Sequence, residues 1–386
     1  MNKFYVFLLF AISLFLVTFK SYDNDNIQVT FILESAALSI DSDVYLVGNH
    51  RKLGRWQPDQ IKMTYLDEKE GMHRWQKQLS FEKGEILEYK FTQGSWANEG
   101  ANAQGLPLEN NYLTVTHDEA ITTRVKFWRT TAELPVQGQI TGTVKYHPQL
   151  TGEGVLPRDI IVWLPPNYQK NPNKHYPVLY MHDGQNIIDP NTSSFKVDWA
   201  VDETLTRLIA EEKVPAMIVV GMSSTANRTA EYSPGADGEA YMSFVINKVK
   251  PLIDKTYRTK TSRENTFVGG SSMGGIMSLM LVWQHDDIFS KAICMSPAFK
   301  IDELDYVSTV AHYQGDKKQI KVYIDNGGLG LEQRLQPGID DMLVALRKQG
   351  YQGNDDLLWV LDNSAKHSEG AWAKRFPEAI KWLMAE

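Results

Sequence analysis

Residues 266–284, TFVGGSSMGGIMSLMLVWQ, decide the fold of this chain. The stretch opens with an apolar run typical of a buried strand, and from Met273 onward it has the composition of an apolar helix. Between the two, residues 270–274 form a Gly-x-Ser-x-Gly motif. Such a tight turn has no room for side chains at the glycines, and it lifts the hydroxyl of Ser272 above the edge of the sheet. The stretch therefore predicts a nucleophilic serine; the alternative is a glycine-rich turn that only packs a helix onto a strand.

Strands and helices alternate on both sides of this turn. Apolar runs that indicate strands are residues 160–164, 178–181, 217–220, 266–268, 292–295, 322–324 and 357–361. Stretches with helical composition lie between them, at residues 199–212, 241–256, 273–284, 338–349 and 372–385. This alternation predicts a doubly wound, mostly parallel sheet, and the continuous apolar strands indicate that helices cover both of its faces. We therefore predict an α/β domain over residues 138–386.

Residues 28–128 have a different pattern, in which short β-rich runs are separated by polar or glycine-bearing turns. The runs are residues 29–33, 44–47, 75–79, 87–92 and 123–127. Even spacing of short strands predicts a small all-β sandwich. Residues 129–137 show little periodicity and are the predicted linker between the two domains.

The composition narrows the functions that the chain can have. The chain has 386 residues, of which 42% are hydrophobic and 23% charged, and this is typical of a folded globular protein. The one cysteine, Cys294, excludes a disulfide framework within the chain and a cysteine-based zinc cluster. A net charge of −7 without clusters of Lys and Arg disfavours binding to nucleic acid or to anionic membranes.

Residues 1–21, MNKFYVFLLFAISLFLVTFKS, have the pattern of a secretory signal peptide. Lys3 precedes the apolar run 4–19, which is shorter than the roughly 20 residues needed to span a bilayer. We therefore expect an exported protein, either secreted or periplasmic. The alternative is an uncleaved membrane anchor.

A serine of ordinary pKa is a weak nucleophile and needs a general base. In hydrolases with this turn, the chain order of serine, acid and histidine places the base late in the sequence. His367 lies in a polar loop between the last predicted strand and the last predicted helix, where sheets of this kind place active-site residues. Two acids can orient it: Asp325 at the end of a strand, and Glu332 further along the following loop. The geometry of a catalytic triad fits either acid.

Attack by such a serine on a carbonyl group also needs N–H donors for the oxyanion. Met273 is one predicted donor, because its N–H begins the new helix. The second donor should follow an earlier strand, and residues 180–186, YMHDGQN, end an apolar strand in the right place. Gly184 permits a close approach of the backbone, so the N–H of Gln185 is the predicted donor. The two residues before Gly184 either shape the pocket or stabilise this loop.

Residues 138–386 resemble the esterase family that includes esterase D and the enterochelin esterases, within the α/β-hydrolase fold. The segments that carry the resemblance follow the family's order and span nearly the whole domain: residues 158–168, 180–186, 199–203, 228–232, 270–275 and 367–369, with Trp372. The resemblance implies a serine hydrolase that acts on carboxylic esters. Family members carry the triad acid just beyond the glycines that follow the strand at 322–324. This points to Glu332, although a Gly-Gly-Leu-Gly-Leu insertion lengthens the run here.

Residues 28–128 resemble a starch-binding-type carbohydrate-binding module. The matching segments are residues 44–49, 53–58, 88–92 and 94–96, with Trp75. The resemblance implies that Trp56 and Trp96, with Lys90, occupy positions that can form a sugar-stacking site. A flat indole suits the apolar face of a pyranose. The alternative is that these tryptophans fill the core and that the module packs against, or shapes, the substrate site.

Together, these observations predict an exported serine esterase that needs no metal or organic cofactor. In it Ser272 attacks the ester, His367 transfers the proton and Glu332 orients His367. The expected substrates are feruloyl or acetyl esters of carbohydrates, either small molecules or oligosaccharides. The N-terminal domain either binds a glycan or packs against and shapes the substrate site. No nucleic acid partner and no stable membrane span are expected. One rival hypothesis is a siderophore trilactone esterase, and another is a non-catalytic glycan-binding protein.

Overall fold

A computed structural model describes the chain at residues 26–102, 107–108, 110–129, 140–353 and 355–385. The predicted signal peptide, residues 1–21, lies outside the described residues, as does the predicted linker apart from Arg129. No helix in the described ranges has the length and apolar character that crossing a bilayer requires. The chain divides into two compact units: Met1–Phe91 with Asn111–Val125, and Thr92–Asn110 with Lys126–Glu386. The predicted domain boundaries stay predictions.

The strands and helices of the described residues are numbered in chain order. The strands are β1 (Asn26–Ser35), β2 (Tyr45–Gly48), β3 (Ile61–Lys62), β4 (Thr64–Lys69), β5 (Met72–Glu82), β6 (Ile86–Thr92), β7 (Gly100–Ala101), β8 (Asn111–Thr114), β9 (Glu119–Arg124), β10 (Phe127–Trp128), β11 (Thr143–Gly152), β12 (Val155–Leu164), β13 (Val178–His182), β14 (Ile218–Met222), β15 (Thr266–Ser271), β16 (Lys291–Met295), β17 (Lys300–Ile301), β18 (Leu304–Asp305), β19 (Lys321–Gly327) and β20 (Leu357–Asp362). The helices are α1 (Val201–Ala210), α2 (Arg228–Glu231), α3 (Ala236–Phe244), α4 (Lys250–Thr256), α5 (Met273–Gln284), α6 (Val307–Ala311), α7 (Leu331–Lys348) and α8 (Glu369–Met384), and one π-helical turn, Val245–Val249, joins α3 to α4.

The first unit is all-β, as its evenly spaced short strands predict. It contains two four-stranded sheets, with the strand orders β4-β5-β1-β9 and β3-β2-β6-β8. Aromatic rings join the two sheets: Phe31 on β1 lies edge to face against Tyr89 on β6, with ring centroids 4.9 Å apart. Because both side chains are buried, their contact forms part of a core between the sheets.

The second unit is built on an eight-stranded mixed sheet with the order β11-β12-β14-β13-β15-β16-β19-β20. Every pair from β14 to β20 is parallel, whereas β12 is antiparallel to both of its neighbours. The predicted mostly parallel α/β sheet is therefore confirmed. Two short antiparallel pairs, β7 with β10 and β17 with β18, lie apart from this sheet.

Both faces of the large sheet are covered, as continuous apolar strands predict. Successive side chains of a strand point to opposite faces. Accordingly, Ile160 and Val162 of β12 belong to one apolar core, and Ile161 and Trp163 belong to the other. Side chains of α3 to α7 fill the first core, and side chains of α1 and α8 fill the second.

The start of α7 differs from the prediction. The sequence predicts a helix at 338–349, but α7 begins at Leu331, seven residues earlier, and contains Pro337 within it. As a result, Glu332 lies in the first turn of a helix and not in a loop. A carboxylate at that position is favourable because the helix N-terminus carries partial positive charge.

The strand order brings the two predicted functional turns together. After β13 the chain crosses to β14 on one side, and it then returns to β15 on the other side of β13. In an open α/β sheet, the carboxyl ends of strands at such a switch of direction border a crevice where ligands bind. The turn that carries Gln185 follows β13, and the turn that carries Ser272 follows β15, so both border this crevice.

Candidate active site

Ser272 lies between β15 and α5 in a strained backbone conformation, with φ 56° and ψ −120°. Backbone hydrogen bonds maintain it: the Ser272 N–H donates to the Met295 carbonyl at 2.9 Å, and the Ser272 carbonyl accepts from the Ala298 N–H at 3.1 Å. A Cβ on Gly270 would lie 2.8 Å from the Gly274 carbonyl, so this turn requires glycine. The turn thus holds Ser272 in a conformation that costs about 1–3 kcal/mol and persists at functional sites.

His367 and Glu332 are in contact, although 35 positions separate them in the sequence. Nδ1 of His367 lies 3.1 Å from Oε2 of Glu332. Glu332 is fully buried, and its other oxygen accepts a 2.7 Å hydrogen bond from the Ser296 hydroxyl. That hydroxyl accepts in turn from Trp372 Nε1 and from Arg375 Nη2, each at 3.0 Å. A carboxylate beside Nδ1 keeps the proton on that nitrogen and leaves Nε2 of His367 to act as a base.

Asp325, the other candidate acid, has a different partner. Its oxygens accept from Arg375, with Nε 2.8 Å from Oδ2 and Nη2 3.1 Å from Oδ1. The Ser296 N–H and the Tyr323 hydroxyl complete its surroundings, at 3.0 and 3.2 Å. Asp325 and Arg375 are both buried, and together they form an internal ion pair. Of the two acids, the one that the structure brings to His367 is Glu332.

The two predicted oxyanion donors border the same crevice. Met273 is the first residue of α5, and Gln185 lies in a single 3-10 turn after β13. A Cβ on Gly184 would lie 2.4 Å from the backbone of Gly221, so glycine is needed for this turn to pack on β14. The Gln185 side chain fixes the turn by two hydrogen bonds to Ser224, at 2.8 and 3.0 Å. In the turns and loops of the described residues, the N–H groups of Met273 and Gln185 donate to no carbonyl. Their role as oxyanion donors stays a prediction.

Arg228, whose role the sequence does not predict, forms an ion pair beside the nucleophile turn. Its Nε and Nη2 donate to the two oxygens of Asp183 at 2.6 and 2.8 Å. A Cβ on Gly274 would lie 3.3 Å from Asp183 Oδ2, which places the pair next to this turn. The Arg228 side chain is 31% exposed, and its positive charge is paired with the carboxylate of Asp183. The one sequence signal for it is the family resemblance of residues 228–232.

Two further titratable groups lie close to the site. Nδ1 of His182 is 2.9 Å from the Tyr241 hydroxyl, and burial lowers the pKa of His182 to about 3, so this ring is neutral at physiological pH. Glu369 follows His367 by two positions and is also buried. Burial raises the pKa of Glu369 to about 7, and Asn186 Nδ2 lies 3.5 Å from its carboxylate. The charge of Glu369 therefore changes near neutral pH.

The predicted sugar-stacking residues are divided between the two units. Trp56 and Lys90 belong to the first unit, and Trp96 belongs to the second. Trp56 is half-buried with φ 64°, and its N–H donates to the Gly48 carbonyl at 2.8 Å. Lys90 is only 6% exposed, whereas Trp96 is half-buried at the start of a 3-10 turn. Their sugar-binding role stays a prediction.

Three carboxylates near the start of α1 lie close enough together to hold a cation: Asp198, Asp202 and Glu203 offer oxygens within 4.8 Å of one another. Asp202 is fully buried, and its Oδ2 accepts from the Thr141 N–H at 2.6 Å. Asp202 Oδ1 and Glu203 Oε2 are buried without a hydrogen-bond partner among the described residues. Burial and the adjacent Asp202 raise the pKa of Glu203 to about 8, so at neutral pH Glu203 retains a proton that it can donate to Asp202.

This raised pKa predicts that Glu203 makes the protein less stable as the pH rises. Between pH 4.5 and about 8 the folded protein retains the Glu203 proton while the unfolded chain loses it, so the free energy of unfolding falls across this window. Glu203→Gln removes that dependence. The measured quantity is the unfolding temperature of Glu203→Gln minus that of wild type. We expect this difference to be larger at pH 8 than at pH 5. Glu239→Gln, at an exposed position on α3, is the control. An equal difference at both pH values would contradict the prediction.

The mixed sheet, the strained serine turn and the histidine beside a buried carboxylate define an α/β-hydrolase. Residues 156–383 match the family model described as "Putative esterase", and the chain belongs to this family of carboxylic ester hydrolases. Residues 26–125 match the family model described as "Starch binding domain". Both resemblances that the sequence predicts are therefore confirmed.

Individual relatives are distant. YbbA of Bacillus subtilis (strain 168) is 20% identical over 246 residues, which make up 58% of this chain and 92% of that protein. A solved ferulic acid esterase is 22% identical with a TM-score of 0.53, covering 63% of this chain and 98% of that one. The enterobactin esterase FES from Shigella flexneri is 14% identical with a TM-score of 0.51, and the match covers 94% of this chain and 93% of that one. At these identities the two structures show a shared fold.

Proposed function

We propose that the chain is an exported serine esterase whose catalytic residues are Ser272, His367 and Glu332. The observation that supports this most strongly is the 3.1 Å contact between His367 Nδ1 and the buried Glu332 carboxylate. It lies at the same edge of the sheet as the strained turn of Ser272. A serine, a base and an orienting acid in this order are the parts that an ester-cleaving triad needs.

In this mechanism, Oγ of Ser272 attacks the ester carbonyl carbon while Nε2 of His367 takes the hydroxyl proton. The carbonyl oxygen becomes an oxyanion, which the N–H groups of Met273 and Gln185 stabilise by roughly 3–4 kcal/mol per donor. His367 then protonates the leaving alcohol, and the acyl group stays on Ser272. Water, activated by His367, releases the acid and restores the serine. Glu332 stabilises the imidazolium in both halves of the cycle.

The proposed substrates are feruloyl or acetyl esters of carbohydrates. Two findings support this choice: the match of residues 26–125 to a starch binding domain, and the fold shared with a ferulic acid esterase. The N-terminal domain provides glycan binding in this proposal. Export rests on the signal-peptide pattern of residues 1–21.

A siderophore trilactone is the alternative substrate. The observation that favours it is the likeness to an enterobactin esterase, which extends over 94% of this chain and so includes the N-terminal part. Turnover of a catecholate trilactone without activity on feruloylated or acetylated sugars would favour this alternative. Strong glycan binding without any esterase activity would instead favour a non-catalytic glycan-binding protein.

Labelling with a fluorophosphonate probe tests the proposed chemistry, because the probe reacts with a serine only when a nearby base activates it. We expect wild type to be labelled, and Ser272→Ala and His367→Ala to remain unlabelled. A screen of acylated sugars and of a trilactone then assigns the substrate. Labelling of Ser272→Ala at the wild-type level would contradict the assignment of the nucleophile.

A further inference from the structure

The segment that follows the oxyanion turn exposes two large apolar side chains. Phe195 is 40% exposed and Val197 is 43% exposed. The segment is tied to the turn, since the Ser194 N–H donates to Asn186 Oδ1 at 2.9 Å. Asn186 directly follows Gln185, the predicted oxyanion donor. The backbone that carries the two apolar side chains is therefore attached to the turn of this donor.

A third residue with an exposed apolar side chain, Leu329, is bound through its backbone to the loop of His367, and Val197 lies beside the start of α8. Cγ1 of Val197 lies 3.8 Å from the position of a Cβ on Gly370, three residues after His367. Leu329 is 40% exposed, and its N–H donates to the carbonyl of Ala365, two residues before His367, at 3.1 Å. The loops involved all follow strands of the large sheet at its carboxyl edge. Leu329 and Val197 are thus placed beside the loop of His367 and the start of α8, on the edge of the sheet that carries the nucleophile turn.

A buried ion pair holds the first of these segments in place. The side chains of Arg129 and Glu99 are 7% and 0% exposed, and Nη1 lies 3.1 Å from Oε1. The same Nη1 donates to the Ser194 carbonyl at 3.3 Å and to the Trp96 carbonyl at 3.1 Å. All of these residues belong to the second unit. Leaving a buried charge without its partners is strongly destabilising. Arg129 therefore holds the Ser194 backbone, which precedes Phe195, in place.

We propose that Phe195, Val197 and Leu329 form an acyl-binding rim that selects a bulky apolar acyl group over acetyl. This inference rests on the proposed function and narrows its substrate. Exposed apolar side chains are common singly, but these three belong to two loops that border one histidine. A large acyl group removes apolar surface from water on both sides of the contact, whereas the single methyl of acetyl covers little. Since the carbohydrate part of the substrate is polar, the apolar side chains of this rim are suited to contact the acyl part.

The test compares 4-nitrophenyl ferulate with 4-nitrophenyl acetate, because these esters share a leaving group and differ only in the acyl group. The measured quantity is the ratio of kcat/KM for the ferulate to kcat/KM for the acetate. We expect this ratio to fall at least about tenfold in the double variant Phe195→Ser/Val197→Ser, which corresponds to about 1.4 kcal/mol of lost apolar contact. Leu329→Ser, on the other loop, should lower it in the same direction, and Phe195→Leu should retain most of it.

Val344→Ser is the matched control, because Val344 is 64% exposed on α7 and has no part in the rim. The control should keep the wild-type ratio. Rates that fall equally for both esters, or a ratio that stays at the wild-type value in the double variant and in Leu329→Ser, would overturn the rim. A wild type that hydrolyses neither ester would overturn the proposed function itself. The two failures are therefore distinguishable.

Discussion

Ser272→Ala is expected to lower kcat for hydrolysis of a 4-nitrophenyl ester by on the order of 10⁴-fold or more. The size of the effect follows from the loss of covalent catalysis, because without the hydroxyl there is no acyl-enzyme and His367 has no proton to take. The remaining activity comes from the oxyanion donors and from substrate binding alone. Steady-state kinetics at saturating ester measure this difference.

The neighbouring Ser271 provides a matched control. It is a buried residue at the end of β15, and Ser271→Ala removes the same hydroxyl group one position earlier. We expect Ser271→Ala to keep kcat close to the wild-type value. Equal losses in the two variants would show that the turn, and not the Ser272 hydroxyl, is what the reaction requires.

The second large effect distinguishes the two acids, because Glu332 is expected to support catalysis and Asp325 is expected to support stability. Glu332→Gln should lower kcat by on the order of 10⁴-fold, because an amide beside Nδ1 favours the wrong tautomer of His367 and no longer stabilises the imidazolium. Asp325→Asn should instead lower the free energy of unfolding by about 3–5 kcal/mol, because it leaves the Arg375 charge buried without its partner. Kinetics and urea unfolding on the same preparations measure both properties.

Asp341→Asn is the control for the stability measurement. Asp341 pairs with Lys300 at 2.8 Å on the surface, where solvent screens the interaction, so its loss should change the unfolding free energy little. If Asp325→Asn abolished activity at full stability while Glu332→Gln stayed active, the roles assigned to the two acids would be reversed.

The nucleophile turn was predictable because all of its determinants are local. The glycine requirement at Gly270, the strand before it and the helix after it lie within one short stretch of sequence. The start of α7 was not predictable in this way. Pro337 and Gly338 have the pattern of a helix start, but a Cβ on Gly338 would lie 2.3 Å from the Lys300 carbonyl. That glycine permits close packing in the middle of the helix, and the contact that requires it is distant in sequence.

The choice between the acids shows a second limit of the sequence. Asp325 and Glu332 both follow a strand, and either can orient a histidine. The difference between them is that Asp325 forms an ion pair with Arg375, which lies 50 positions further along the sequence. Likewise, the exposure of Phe195 and Leu329 depends on which loops come together at the sheet edge. Local patterns assign residue types to elements, but they do not show which distant side chains meet.

The last described helix, α8, has a consequence for how the protein is made. Trp372 and Arg375 both donate to Ser296, which in turn holds Glu332, and the Trp372 ring lies edge to face against His367 at 4.9 Å. A polypeptide still emerging from the ribosome lacks this helix, so the proposed base, His367, and its carboxylate partner are not yet held in place. We therefore expect hydrolytic activity to appear only after synthesis has passed residue 375, and nascent or truncated chains without α8 to be inactive even when the serine turn has formed.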